Sequence, residues 1–238
     1  PKFYPPGIFY IDFCTFSIDT SGPALHIRGH KDALNKAPMR ATLASLFLRQ
    51  LGYDGSQTVV DPMCGSGTFP IEAAEQAAGL FPGRTRSFAF EKLASFDHGK
   101  WDQLKKSAKP RQVLGRFFGF DRDMGAIRLS KDNANRAAVG DMIEFQHAAI
   151  SDLEPPDAPA GIVIINPPYG GRIGERKMLF SLYGAMGQTL KTRFKGWKVG
   201  ILTTDGGLAK ATGLPFLPSL PPVPHGGKRV TLHLTDPL

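Results

Sequence analysis

The stretch Thr58–Phe69, TVVDPMCGSGTF, takes a short buried-looking run into an acid and then into a glycine-punctuated turn. Thr58–Val60 with Asp61 reads as a strand that ends on a carboxylate. Gly65 and Gly67 lie in a tight turn, where backbone must approach a ligand or adopt positive φ. A helix should follow through about Ala78. Downstream the same rhythm repeats. RFFGFD (116–121), MIEFQH (142–147), GIVIIN (161–166) and WKVGILTT (197–204) read as strands, with helices expected over Met124–Ala138 and about 177–194. Short apolar strands alternating with amphipathic helices predict a parallel sheet covered on both faces. One more strand is expected at 229–235. The proline-rich LPFLPSLPPVPHGG before it can supply only an edge strand or a loop.

Upstream, PMRATLASLFLRQL (38–51) predicts a helix with Pro38 at its start and Leu43, Leu46, Phe47 and Leu51 toward the core. Residues 8–18, IFYIDFCTFSI, read as one strand, and 19–31 as polar and turn-rich. Residues 82–116 interrupt the alternation. They hold nine Lys/Arg against three acids, with Phe88, Phe90, Phe96 and Trp101 interleaved. Basic segments with aromatics suit RNA contact. Against that, the aromatics are expected to pack on the domain, with some of the lysines merely solvated.

The chain has 238 residues, 42% of them hydrophobic, and a formal charge of +8. That size accommodates one α/β domain, and the excess of cations favours a polyanionic partner such as nucleic acid. Two cysteines, Cys14 and Cys64, make neither a disulfide framework nor a metal-ligand set. No metal is expected, and a reducing, cytoplasmic setting is. Neither a membrane span nor a signal peptide is apparent. The opening at Pro1 rather than Met suggests a fragment of a longer chain. The domain division expected is a lead-in over 1–30, then one catalytic domain over 31–238 carrying the basic insertion.

A glycine turn after a strand also serves dinucleotide folds, so the details decide. The pattern is not G-x-G-x-x-G. Asp61 stands where a pyrophosphate would arrive and would repel it; the same charge suits a cationic sulfonium and its α-amino group. Asp121 ends the second strand, where an acid can accept ribose hydroxyls. Asp123 competes for that role but is better suited to cap the following helix. After the third strand, Asp152 can accept an adenine amino hydrogen, with backbone at Ala149–Ser151 completing the edge; alternatively it caps a short turn. The expected donor-binding set is Pro38, Asp61, Pro62, Met63, Cys64, Gly65, Ser66, Gly67, Thr68, Asp121, Arg122, Ile150, Ser151, Asp152 and Asn166.

The second motif, IINPPYG (164–170), follows the fourth strand. Its prolines fix φ and withdraw N–H donors, leaving the Asn166 side-chain oxygen and the Pro167 carbonyl as acceptors. Two acceptors can hold both hydrogens of an exocyclic amine and stabilise charge that develops on its nitrogen. Tyr169 can stack on the base. Asn166, Pro167, Pro168 and Tyr169 are therefore the expected catalytic set. No general base or metal is required.

DPMCGSGTFPIEAA, FDRD and NPPYGGRIGE together resemble the RNA guanine-N2 methyltransferases that carry an N-terminal THUMP domain, the bacterial large-subunit (23S) rRNA branch above all. The likeness extends to IDTSGPALHIRGHKDALNKAPMRATLASL and to PGRTRSFAFEKLASFDHGKWDQL, nearly the whole chain. It implies a Rossmann-like class I methyltransferase fold, a seven-stranded sheet with one antiparallel strand, S-adenosyl-L-methionine as donor, and rRNA or tRNA as acceptor. It also implies that the segment near Ala37–Arg40 helps close the donor pocket, and makes Lys36, Arg40 and Arg172 candidate contacts to RNA or donor. His26 and Arg28 are expected to be structural, and Cys64 to be chosen for its small size. No THUMP domain is expected within these residues, only its connecting strand, at 1–18. Other readings remain open: adenine N6 or a protein glutamine as acceptor, a non-catalytic RNA-binding module, or, more distantly, a dinucleotide oxidoreductase.

Overall fold

In the computed structural model the described residues are 9–10, 13–14, 16–27, 29, 39–107, 111–169 and 176–238. Strands β1 (Phe9–Tyr10) and β2 (Phe13–Cys14) pair antiparallel. The single strand expected over 8–18 is therefore corrected: Phe9–Tyr10 and Phe13–Cys14 are two strands that pair with each other. Helix α1 (Ala41–Gln50) follows, with Arg40 as its N-cap. Next come β3 (Val59–Asp61), α2 (Thr68–Ala77), α3 (His98–Lys106), β4 (Phe117–Asp121), α4 (Met124–Arg136) and β5 (Ile143–His147). The last part holds β6 (Ile162–Ile165), α5 (Arg176–Arg193), β7 (Lys198–Thr203), α6 (Gly206–Ala211), β8 (Val223–His225) and β9 (Lys228–Leu234).

Seven strands form one sheet in the order β5-β4-β3-β6-β7-β9-β8. The first five run parallel, and β9 is antiparallel to both β7 and β8. Pro224 lies in β8, at the edge of the sheet, where a missing N–H costs no central ladder bond.

Side chains of a strand alternate between faces, and two cores result. Val59, Phe117, Ile162 and Ile164 pack with Phe47, Leu48, Phe69 and Ile127 from α1, α2 and α4. Val60, Phe118, Val163 and Ile165 pack with Tyr183, Met186 and Leu190 from α5. Each fully buried Phe, Leu or Ile stabilises the fold by about 1.5–3 kcal/mol. In α1 Phe47 is buried and Leu43 half-buried, and the C-cap Leu51 is buried, but Leu46 is 38% exposed and does not join the core. Only one stripe of a surface helix is covered, and Leu46 falls beside it.

The insertion folds into a 3-10 turn (Ala89–Lys92) and α3, whose N-cap Asp97 accepts the Lys100 N–H at 2.9 Å. Its aromatics pack mainly on one another rather than in the main cores. Phe88 stacks on Phe90 at 5.1 Å, and Trp101 meets both edge-on. The Phe90 N–H donates to the Thr20 carbonyl and Arg86 to the Ser21 carbonyl, so the insertion holds the segment 20–23.

Candidate active site

Parallel strands bring their carboxyl ends to one edge of a sheet, and open α/β folds bind ligands there. Asp61, Asp121 and Asn166 all sit at that edge, on or directly after the neighbouring strands β3, β4 and β6.

Asp61 is 2% exposed. Its Oδ1 accepts the Met63 N–H at 3.1 Å. Burial pushes its carboxyl well above the ordinary carboxylate range, and the nearby Asp121 charge adds to the effect against the Met63 bond. A buried carboxylate of this kind calls for a cation beside it. Pro62, Ser66, Gly67 and Thr68 are buried around it, with Met63 and Gly65 half-buried.

The turn Cys64–Gly67 closes with a Gly67 N–H bond to the Cys64 carbonyl at 2.8 Å. Gly67 has φ 76°, and a Cβ there would lie 3.0 Å from Ser130 Cβ and 3.1 Å from the Phe145 ring, so both conformation and space require glycine. Gly67 is also the N-cap of α2 and offers no side-chain cap. The first N–H groups of α2 thus face the site with a partial positive charge suited to a carboxylate.

Asp121 spans the turn. Its Oδ2 accepts the Gly65 N–H at 3.0 Å and its Oδ1 accepts the Asp123 N–H at 2.9 Å. Each oxygen keeps a lone pair for a hydroxyl donor. Asp123 caps α4 by accepting the Gly125 N–H at 2.7 Å. Arg122 is exposed, and its carbonyl lies 2.9 Å from His147 Nε2. Ile150 is buried, while Ser151 and Asp152 are exposed in a turn closed by the Asp152 N–H to the Ala149 carbonyl. The Ser151 carbonyl accepts from Arg193.

Cys64 is buried. Burial and the Asp61 charge push its thiol well above its ordinary value, so it is no nucleophile at neutral pH.

Asn166 follows β6. Its Oδ1 is buried and has no hydrogen-bond partner among the described residues. Buried acceptors of proteins are nearly always paired, so an orphan at a sheet's carboxyl edge marks a place for a ligand donor. Pro167 is buried and Pro168 exposed. Tyr169 is half-buried and touches both cores; burial raises its hydroxyl above the ordinary value. Pro38, Lys36 and Arg172, with Arg28 and Ala37, lie outside the described residues; of the Ala37–Arg40 segment, Met39 is buried and Arg40 exposed.

Four supporting residues were not anticipated from the sequence. Ser130 Oγ donates to the Gly65 carbonyl and Asn133 Nδ2 to the Ser66 carbonyl, each at 2.9 Å, and both residues are fully buried on α4. Their spacing of three, on the same stripe as Ile127 and Ala134, was the available signal. Tyr183 donates from its hydroxyl to the Pro168 carbonyl at 3.4 Å and bonds the Thr203 side chain; burial pushes that hydroxyl up to about 12. Among the described residues, no three His, Cys, Asp or Glu side chains are grouped to hold a metal, and no helix is long and apolar enough to cross a membrane.

The strand order, the single reversed strand and the ligand-facing turn after β3 define a class I methyltransferase fold. The chain belongs to the family described as RMKL-like, methyltransferase domain, whose model matches residues 28–215. It is 39% identical over 202 residues to the ribosomal RNA large subunit methyltransferase K/L of Vibrio campbellii, covering 82% of this chain and 29% of that enzyme. A "possible methylase" from Clostridium difficile 630 superposes with a TM-score of 0.86 at 31% identity, over 94% of this chain and 59% of the other. SMU.472, solved in complex with SAH, superposes with a TM-score of 0.83 at 28% identity, over 92% and 58%. The chain therefore spans less than two thirds of each of these proteins.

Proposed function

We propose that this chain transfers a methyl group from S-adenosyl-L-methionine to the exocyclic N2 amine of guanine in RNA, the acceptor being large-subunit rRNA. The observation that carries the reading is the juxtaposition of two buried groups at the ends of adjacent strands: the Asp61 carboxylate, whose printed partner is the neutral Met63 N–H, and the Asn166 Oδ1, which has no partner among the described residues. One needs a cation and the other an N–H donor. A sulfonium donor and an aromatic amine supply both.

The bound donor contributes an electrophilic methyl group. Asp61 pairs with its positive charge, the uncapped start of α2 receives its carboxylate, and Asp121 accepts its ribose hydroxyls. Asp152 is assigned the adenine amine, with Ile150 beneath the ring. Asn166 Oδ1 and the Pro167 carbonyl accept the two hydrogens of the base amine. They orient its nitrogen and stabilise charge that builds on it. Tyr169 stacks on the base once it has left the helix.

The large-subunit rRNA assignment draws on the name of the Vibrio relative and on the +8 charge. Mass spectrometry of rRNA and tRNA nucleosides from cells with and without the gene is the test. Loss of N2-methylguanosine at one rRNA position is expected. Loss in tRNA only, or loss of N6-methyladenine or methylglutamine instead, would overturn the assignment.

A further inference from the structure

The insertion carries a cavity that the methyl-transfer site does not use. It has a volume of about 210 Å³ and is walled by Phe81, Phe88, Trp101 and Leu104, with Arg84 and Lys105 at its rim. Drug-sized ligands occupy roughly 300–1,000 Å³, so this space suits one planar ring system. Its walls are open: Phe81 is 39% exposed and Leu104 54%. Trp101 and Phe88 meet at 89°, so one ring offers a face where the other offers an edge.

The cavity is also rigidly built. Arg84 pairs with Glu75 at 2.7 Å and donates to the Ala137 carbonyl, which ties the rim to α2 and to the C-cap of α4. Gly83 lies directly under Phe88, where a Cβ would come within 2.5 Å of the ring. Of the residues that line it two are cationic, Arg84 and Lys105, and none is acidic. Lys100, Lys105 and Lys106 stand on α3, the helix that carries Trp101 and Leu104; Lys105 pairs with Asp102 at 2.9 Å and Lys100 with Asp97 at 3.5 Å, exposed pairs that a phosphate can replace at little cost.

We propose that this cavity is a docking site for one unpaired base of an RNA strand, with the α3 lysines on its flanking phosphates. An apolar slot alone would fit a protein side chain equally well. The surrounding positive charge favours a polyanion whose rings alternate with phosphates. The inference rests on the RNA reading above. Helix α2 has ten residues, so it separates the methyl-transfer turn at Gly67 from the insertion by about 15 Å. The docked base is therefore a neighbour of the target nucleotide along the RNA, not the target itself.

The test compares an oligoadenylate decamer with an abasic decamer of equal charge. Trp101 fluorescence and the anisotropy of labelled strands are followed; the other tryptophan, Trp197, is 3% exposed and lies in the core. The oligoadenylate should quench saturably and bind at least about five-fold more tightly than the abasic strand. Leu104→Gln and Gly83→Val, the second pushing Phe88 into the cavity, should each remove that advantage. Affinity for S-adenosyl-L-methionine, measured by calorimetry, should stay unchanged and would show that the variants fold. Equal binding of both strands, or a response to polyglutamate and none to oligoadenylate, would overturn the proposal. Methyl transfer to RNA without base-dependent quenching sinks the docking site alone. Quenching without methyl transfer supports the docking site and sinks the reading of the activity.

Discussion

Replacing Asn166 by Ala should separate stability from activity, because its Oδ1 is buried with no partner among the described residues. An unsatisfied buried acceptor costs about 1–3 kcal/mol. Truncation relieves that cost and loses the packing of a small amide, so the net change should lie between zero and about 2 kcal/mol of stabilisation. For a chain of this size each kcal/mol moves Tm by about 2–4 °C, so Tm should hold or rise by a few degrees. Activity should go the other way. Loss of one preorganised acceptor for developing charge costs roughly 100- to 1,000-fold in kcat. The paired measurements are a thermal melt and single-turnover methyl incorporation into an rRNA transcript at saturating donor. A fall in Tm of more than about 4 °C would show that the amide holds the turn together. A kcat within ten-fold of wild type would show that the acceptor is not aimed at the reacting amine. Either result refutes the argument from the orphaned oxygen.

Three further outcomes follow from the same geometry. Burial raises the folded pKa of Asp61 above its unfolded value. Its contribution to stability is therefore present below the ordinary carboxylate range and is lost as pH rises through the raised value. Asp61→Asn should flatten that loss and raise the neutral-pH Tm of the donor-free chain. Calorimetric donor affinity, which in wild type should climb with pH over the same window, should fall about ten-fold or more. Ser130→Ala combined with Asn133→Leu strips two bonds from the carbonyls of the turn. A loss of about 2–4 kcal/mol in chemical denaturation is expected, with weaker donor binding; intact affinity would show that the turn keeps its shape unaided. Tyr183→Phe should lower kcat several-fold while leaving KM for the donor unchanged, since its hydroxyl reaches Pro168 and not the donor turn; a matching rise in donor KM would contradict this.

The fold was legible because its signals are local. Val59–Asp61, Phe117–Asp121 and Ile162–Ile165 are short apolar runs ending at polar residues, and each proved to be a central strand. The edge character of the stretch around Pro224 followed from proline's missing donor. Errors came where tertiary packing overrides local pattern. Leu46 has the apolar character of a core residue, but it stays 38% exposed beside the buried stripe of α1. Phe9–Tyr10 and Phe13–Cys14 have the composition of one strand, yet they pair with each other antiparallel. The candidate site residues could be placed at one sheet edge from their order after the strands. What props them could not. Ser130 lies 65 residues from the Gly65 carbonyl it serves; its place on the α4 stripe shows that it faces inward, but not which carbonyl it meets.

The two α4 bonds to the turn have a consequence for the motion of the free chain. A peptide unit is planar, and its C=O and N–H point in opposite directions. With the Gly65 oxygen pulled toward Ser130 and the Ser66 oxygen toward Asn133, the Ser66 amide is turned away from α4 before anything arrives, while the Gly67 amide is held on the Cys64 carbonyl. Ordering that an unsupported loop would undergo on capture has already been completed during folding, so more of the contact energy remains as affinity.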